Sequence, residues 1–153
     1  MTYSKKNAKV CVKKEALNII VKPTINGISR IKLNEPKTYN ALSLQNINFL
    51  IKIFKKLNID KKTKVIIIEG VGKGFSEGHN HKELKDLKNK SDYSELFKHC
   101  SKLMTNNVYN NKPVIAKIHN AALAAGCQLV ASCDLTFSTN KTIFATPGVN
   151  IGL

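Results

Sequence analysis

Residues 65–68 (Val-Ile-Ile-Ile) and 114–118 (Val-Ile-Ala-Lys-Ile) are short, β-branched runs set between long stretches of helical period. No other feature restricts the fold as much. Such runs are too short and too branched for helices, and they read as strands buried in a sheet. Between them, Tyr93, Leu96, Phe97, Cys100, Leu103, Met104 and Val108 recur at i, i+3, i+4 and i+7, the spacing of one helical face. Asp92 is expected to open that helix and Asn110-Asn-Lys-Pro113 to break it. Ahead of the first run, Ser43 is placed to cap a helix with the stripe Leu44, Ile47, Leu50, Ile51, Phe54 and Leu57. Strands alternating with helices predict an α/β architecture.

The remaining segments fit that scheme. Residues 17–21 and 25–33 are β-rich and flank Pro23, with Asn26-Gly27 as a turn near the second run. A loop is expected at 34–42, and a polar helix or loop at 81–90. Residues 121–132 are small and uncharged and read as a buried helix, and 135–137 as a short strand. With no linker and no internal repeat, the chain reads as one domain, 17–153, behind a basic N-terminal extension, 1–16. The extension lacks the apolar core of a secretory signal. No apolar run approaches the roughly 20 residues a membrane helix needs. The chain closes on Asn150-Ile-Gly-Leu153, just after a Pro147-Gly148 turn, which gives the expectation of a domain truncated at its C-terminus.

The formal net charge is +15, which raises the question of a nucleic-acid partner. The cations are 24 Lys and a single Arg, beside 17 Asn, scattered over most segments. Base-edge and bidentate phosphate recognition favour Arg, so the composition argues against nucleic acid. A basic surface still attracts anionic small molecules. The four cysteines, Cys11, Cys100, Cys127 and Cys133, form no C-x-x-C pair and sit in or beside apolar segments. They are expected to be buried free thiols of a reducing compartment.

Two places can carry chemistry. The stretch 70–78, GVGKGFSEG, follows a strand, but Phe75 stands where a dinucleotide fingerprint needs its third glycine. It reads either as a flexible loop that lets backbone approach a ligand or as a plain surface turn. In Ala124-Ala-Gly-Cys-Gln-Leu129, small residues open the expected buried helix. The first amides of a helix lack intrahelical partners, and small side chains let an anion reach them. Close helix packing explains the same composition.

Taken together, four segments resemble the enoyl-CoA hydratase/isomerase (crotonase) superfamily. They are Asn34-Glu-Pro-Lys-Thr-Tyr-Asn-Ala-Leu42, Gly74-Phe-Ser-Glu-Gly-His-Asn80, the block from Lys112 to Asn120 continued by 124–134, and Phe144-Ala-Thr-Pro-Gly148. Their order and spacing resemble a divergent mitochondrial branch of that superfamily. The resemblance implies a spiral of ββα turns and an acyl-CoA ligand, with coenzyme A arriving as part of the substrate and no separate cofactor. It implies that the thioester oxygen sits between the backbone N–H groups of His79 and Ala125. Lys37 matches a lysine near the CoA phosphates, and the backbone around Tyr39, Ala41, Leu42, Glu77, Gly78, His79 and Asn80 is expected to line the nucleotide pocket.

The departures bear on chemistry. Family hydratases use two glutamates as general acid and base, and the matching positions here hold Gln128 and Gly148. An amide does not exchange protons near neutral pH, so hydration by that route is not expected. A non-catalytic acyl-CoA-binding role is the alternative. Ala121, Ala124 and Ala125 stand where the family has glycines, and Asn80 where it has Asp. His79 and His81 have the spacing of a metal pair but no further ligand at useful spacing, and no metal is expected. His81 is a candidate base. His119 and Asp134 are expected to be structural. Family domains run further, ending in helices that cover the acyl pocket and help build trimers; a homo-oligomer and a mitochondrial or cytoplasmic setting are the matching expectations.

Overall fold

The computed structural model describes residues 18–151. The extension 1–16 and Cys11 lie outside the described residues. Strands β1 (Ile19–Ile25) and β2 (Ile28–Leu33) form an antiparallel hairpin, with Ile19 opposite Leu33 and Ile25 opposite Ile28. Its turn is Asn26-Gly27, at φ 50° and 82°. Two successive positive φ values match the right-handed twist of a two-residue hairpin. The expectation that Pro23 parts two strands is therefore corrected. Pro23 lies inside β1, where the pairing slips between Lys22 and Ile25. That strand lies at the sheet edge, where a missing N–H is tolerated.

From β2 the chain passes through helix α1 (Leu44–Ile59) to β3 (Val65–Gly70), which pairs parallel to β2. Helices α2 (His81–Asp86) and α3 (Lys90–Val108) then lead to β4 (Val114–Ile118), parallel to β3. A short strand β5 (Ala121–Leu123) and helix α4 (Ala125–Ala131) precede β6 (Leu135–Ser138), parallel to β4. The sheet order is β1-β2-β3-β4-β6, and β5 pairs in parallel with β7 (Ile143–Ala145) as a second small sheet. This is the expected α/β fold, wound as ββα turns.

One core joins these layers. Ile31, Ile66, Ile68, Val114 and Ala116 are fully buried on the sheet, against Ile47, Leu50 and Phe54 of α1 and Leu103 of α3. Ser43 caps α1, its side chain accepting from the Asn46 N–H. Three local expectations need correction. Asn89, not Asp92, caps α3, accepting from the Asp92 N–H at 3.1 Å. The Asp92 carboxylate reaches back past the cap to the Lys88 N–H at 3.2 Å. Of the α3 stripe, Phe97 and Val108 are exposed.

The third correction concerns 121–132, which is not one helix. Its first three residues are β5, and Ala124 turns the corner at φ 46° into α4. Small residues are neutral between strand and helix, and the partner that decides the matter is Ile143–Ala145, too distant in sequence for a local pattern to reveal.

Candidate functional site

Asn40 builds the site's frame. It is 2% exposed and adopts φ 56°, a conformation asparagine tolerates better than most residues. Its Nδ2 donates to the Val71 and Gly74 carbonyls at 2.9 and 3.0 Å, and its Oδ1 accepts from the Glu35 N–H at 2.8 Å. The 34–42 loop is thereby tied to the glycine-rich stretch. The stretch is more than a plain surface turn: Gly72 and Lys73 are exposed, but Gly74, Ser76 and Gly78 are buried and Phe75 is fully enclosed. A Cβ on Gly72, at φ +90°, would sit 2.5 Å from Pro36 Cβ, so glycine is required there for space as well as for φ.

Ser76 carries the frame onward. Its hydroxyl donates to the Asn40 carbonyl at 2.9 Å and accepts from the Gly78 N–H at 3.2 Å. The Leu42 N–H donates to the Gly78 carbonyl at 2.7 Å, and the Glu77 N–H to the Tyr39 carbonyl at 3.1 Å. Residues 39–42 and 77–79 are zipped together by backbone. Against them stands the start of α4. A Cβ on Gly126 would lie 2.6 Å from the Ser76 carbonyl oxygen, and one on Gly78 would lie 2.9 Å from the Ala125 nitrogen. The loop bearing His79 therefore rests directly on the first residues of α4. The N–H groups of His79 and Ala125 donate to no backbone carbonyl in the turns and loops among the described residues, and the first N–H of a helix has no intrahelical acceptor.

Side chains complete the arrangement. The His79 ring stands edge-on to Phe97, with centroids 5.4 Å apart. Burial holds the imidazole below its ordinary range; the Leu42 backbone opposes that shift through a contact short of a full hydrogen bond, and the charge of His81 adds to it. Cys100, one turn on from Phe97, is buried, which pushes its thiol up, and its Sγ lies 3.9 Å from Gln128 Oε1. Gln128 is exposed on α4, and Gly148 lies in a 3-10 turn, Pro147–Ile151. Asn80 caps α2, accepting from the Lys82 and Glu83 N–H groups at 3.0 and 3.2 Å. Glu83 in turn accepts from Leu44 N–H at the start of α1.

A cavity of about 250 Å³ opens beside this frame. Of the residues expected to bind CoA, Tyr39 and Glu77 line it; Lys73, Ser76, Asn120 and Leu123 also line it and were not anticipated. Ser76 and Asn120 lie inside the motif segments, and Lys73 and Leu123 directly beside them. Burial raises the Glu77 carboxyl, opposed by the charge of His81. Lys37 is exposed in a 3-10 turn, Pro36–Thr38, and Ala41 and Leu42 are buried. His119 Nε2 contacts the Gly72 carbonyl at 2.7 Å and Asp134 Oδ2 accepts from the Val114 N–H at 2.7 Å; both are structural ties, as expected. The Cys133 thiol is pushed up by burial to about 11.

The sequence profile of the enoyl-CoA hydratase/isomerase family matches residues 24–153. The chain belongs to that family. Enoyl-CoA hydratase domain-containing protein 3, mitochondrial, of Xenopus laevis is 49% identical over 128 residues, 84% of this chain and 44% of the frog protein. The human protein of the same name is 44% identical over 129 residues, 84% of this chain and 43% of its own length. The crystal structure of human enoyl-CoA hydratase domain-containing protein 3 superposes with a TM-score of 0.84 at 41% identity, covering 89% of this chain and 53% of that one. An enoyl-CoA hydratase of Mycobacterium smegmatis gives 0.86 at 35% identity, with the same coverage. The fold of this family member is thus the crotonase fold. The chain spans less than half the length of these two curated relatives.

Proposed function

We propose that this chain carries the acyl-CoA-binding part of a crotonase-type site, in which the thioester oxygen accepts from the His79 and Ala125 N–H groups. The supporting observation is the packing of Gly78 against the Ala125 nitrogen, which brings two amides without a backbone acceptor to one spot. Each such donor is worth about 3 kcal/mol to an enolate-like transition state. Lys37 and Lys73 supply positive charge for the CoA phosphates, and Tyr39 and Glu77 flank the cavity that suits the nucleotide. The positions that carry the hydratase glutamates hold Gln128 and Gly148, so neither can pass a proton to or from water. The setting we infer is mitochondrial acyl-CoA metabolism, after the names of the relatives.

The test is calorimetric titration of the full-length protein with crotonyl-CoA, alongside loss of the enoyl absorbance. Saturable binding with hydration at least about a thousandfold below a two-glutamate hydratase is the expected result, in line with the contribution of a general acid–base pair. Hydration at the rate of such an enzyme, or no binding, would overturn the reading. Binding without any turnover selects the non-catalytic alternative.

A further inference from the structure

We propose that the imidazole of His79 is the acid–base group of this site, moving a proton at the α-carbon of the bound thioester. The inference rests on the acyl-CoA reading above and assigns it a reaction class. Residue 79 is the one whose backbone N–H is assigned to the thioester oxygen, so its side chain starts one bond from that donor. The residue is held on three sides. Phe97 of α3 meets it edge-on at 5.4 Å, the 39–42 segment lies along its backbone through the Leu42–His79 bridge, and α4 closes behind Gly78.

The two ring nitrogens have different surroundings. Nδ1 is sealed from solvent and lacks a hydrogen-bond partner. With Nδ1 enclosed, Nε2 is the nitrogen at which the ring can take or give a proton. Among the described residues no hydrogen bond engages Nε2.

The groups around the ring do not compete for the proton. His81 is the neighbour whose protonated form disfavours the imidazolium. Phe97 is the contact from α3; one turn on, the buried thiol of Cys100 meets Oε1 of the neutral Gln128 of α4. Glu77, the nearest carboxyl in sequence, lines the cavity. Burial keeps the ring neutral at neutral pH, the form a general base requires.

The step balances without a further reactant. Nε2 takes the α-proton, and the C–H pair becomes the C=C of an enolate while the C=O pair moves onto the oxygen held by the two amides. The imidazolium then returns the proton to the α-carbon, or to the γ-carbon when the chain is a 3-enoyl thioester, which leaves as the 2-enoyl isomer. The class is a redox-neutral proton exchange or double-bond shift, which needs neither glutamate.

The experiment incubates the full-length protein with hexanoyl-CoA in deuterium oxide and follows α-deuteration by mass spectrometry, with binding measured in parallel. Wild type is expected to bind and exchange, with a rate that rises through a single ionisation below pH 6.5. His79→Gln keeps the backbone N–H and is expected to bind normally while losing about a hundredfold or more in exchange. Binding without exchange, equal exchange in His79→Gln, or a pH profile without that ionisation in the wild type overturns the assignment. The pH profile needs no variant, so a misfolded His79→Gln does not rescue the proposal. Absence of hexanoyl-CoA binding removes the acyl-CoA reading, and this one with it.

Discussion

Ala124 sits at φ 46°, ψ −122°, a region that L side chains avoid and glycine enters freely. Its N–H donates to the Ala145 carbonyl at 2.8 Å and its carbonyl accepts from the Gln128 N–H at 3.0 Å, so the corner is held from both sides. The strain costs about 1–3 kcal/mol. Ala124→Gly releases it but gives the unfolded chain more freedom, an opposing effect of about 0.4–1 kcal/mol. The expected net result is a gain of about 1 kcal/mol in urea denaturation, with an unchanged m-value. Gly126 is the converse case. Its Cβ position falls 2.6 Å from a backbone oxygen, so Gly126→Ala is expected to destabilise by about 2 kcal/mol or more. His79 links pH to stability with a definite sign. Its folded pKa is lowered from 6.5, so the unfolded chain binds the extra proton, and stability falls as pH drops through 6.5 towards the folded value.

At the scale of elements, parallel strands are tied by Glu69 as well as by their ladders. Register sets Lys32, Glu69 and Lys117 in one cross-strand row. Their Nζ atoms lie 3.1 and 3.4 Å from the carboxylate, whose side chain is 11% exposed. Burial works to raise this carboxyl, and Lys32, by hydrogen bond and charge, together with Lys117 outweighs it, leaving the pKa below 4.5. A depressed carboxylate contributes stability that is present above its ordinary value and lost as pH falls through the folded one. Glu69→Gln should therefore cost about 1 kcal/mol at pH 7, and the gap to wild type should close below pH 4.5. Equal stabilities at pH 7 would mean that desolvation cancels the pairing. Helices α1 and α3 were legible because their stripes are long and periodic. The α3 cap lies three residues ahead of the expected one because Asn89 and Asp92 each have the chemistry of a cap, and both bond at this helix start.

Across the whole molecule, apolar surface is exposed on β6, at the edge of the main sheet, and on β7 of the second sheet. All four residues of β6 are exposed, with Leu135 at 55% and Phe137 at 63%, and Ile143 and Phe144 on β7 are at 62% and 44%. An edge strand with open backbone and apolar side chains invites pairing. This polypeptide is expected to self-associate with rising concentration in sedimentation velocity, and Phe137→Lys to shift the distribution towards monomer. Concentration-independent monomer in both would remove the expectation.

By itself, the sequence determined the α/β alternation, the helical faces and the order of four motif segments, because periodicity and spacing act within a dozen or so residues. It also showed that no carboxylate stands at positions 128 and 148. Tertiary structure alone decided that residues 121–123 are a strand, since their partners lie at 143–145. It alone decided that the glycine stretch is packed, through Asn40 and Ser76, and that His79 meets Phe97 and lies beside the start of α4. Those contacts join residues tens of positions apart, and no local preference along the chain specifies which distant surface a loop will meet.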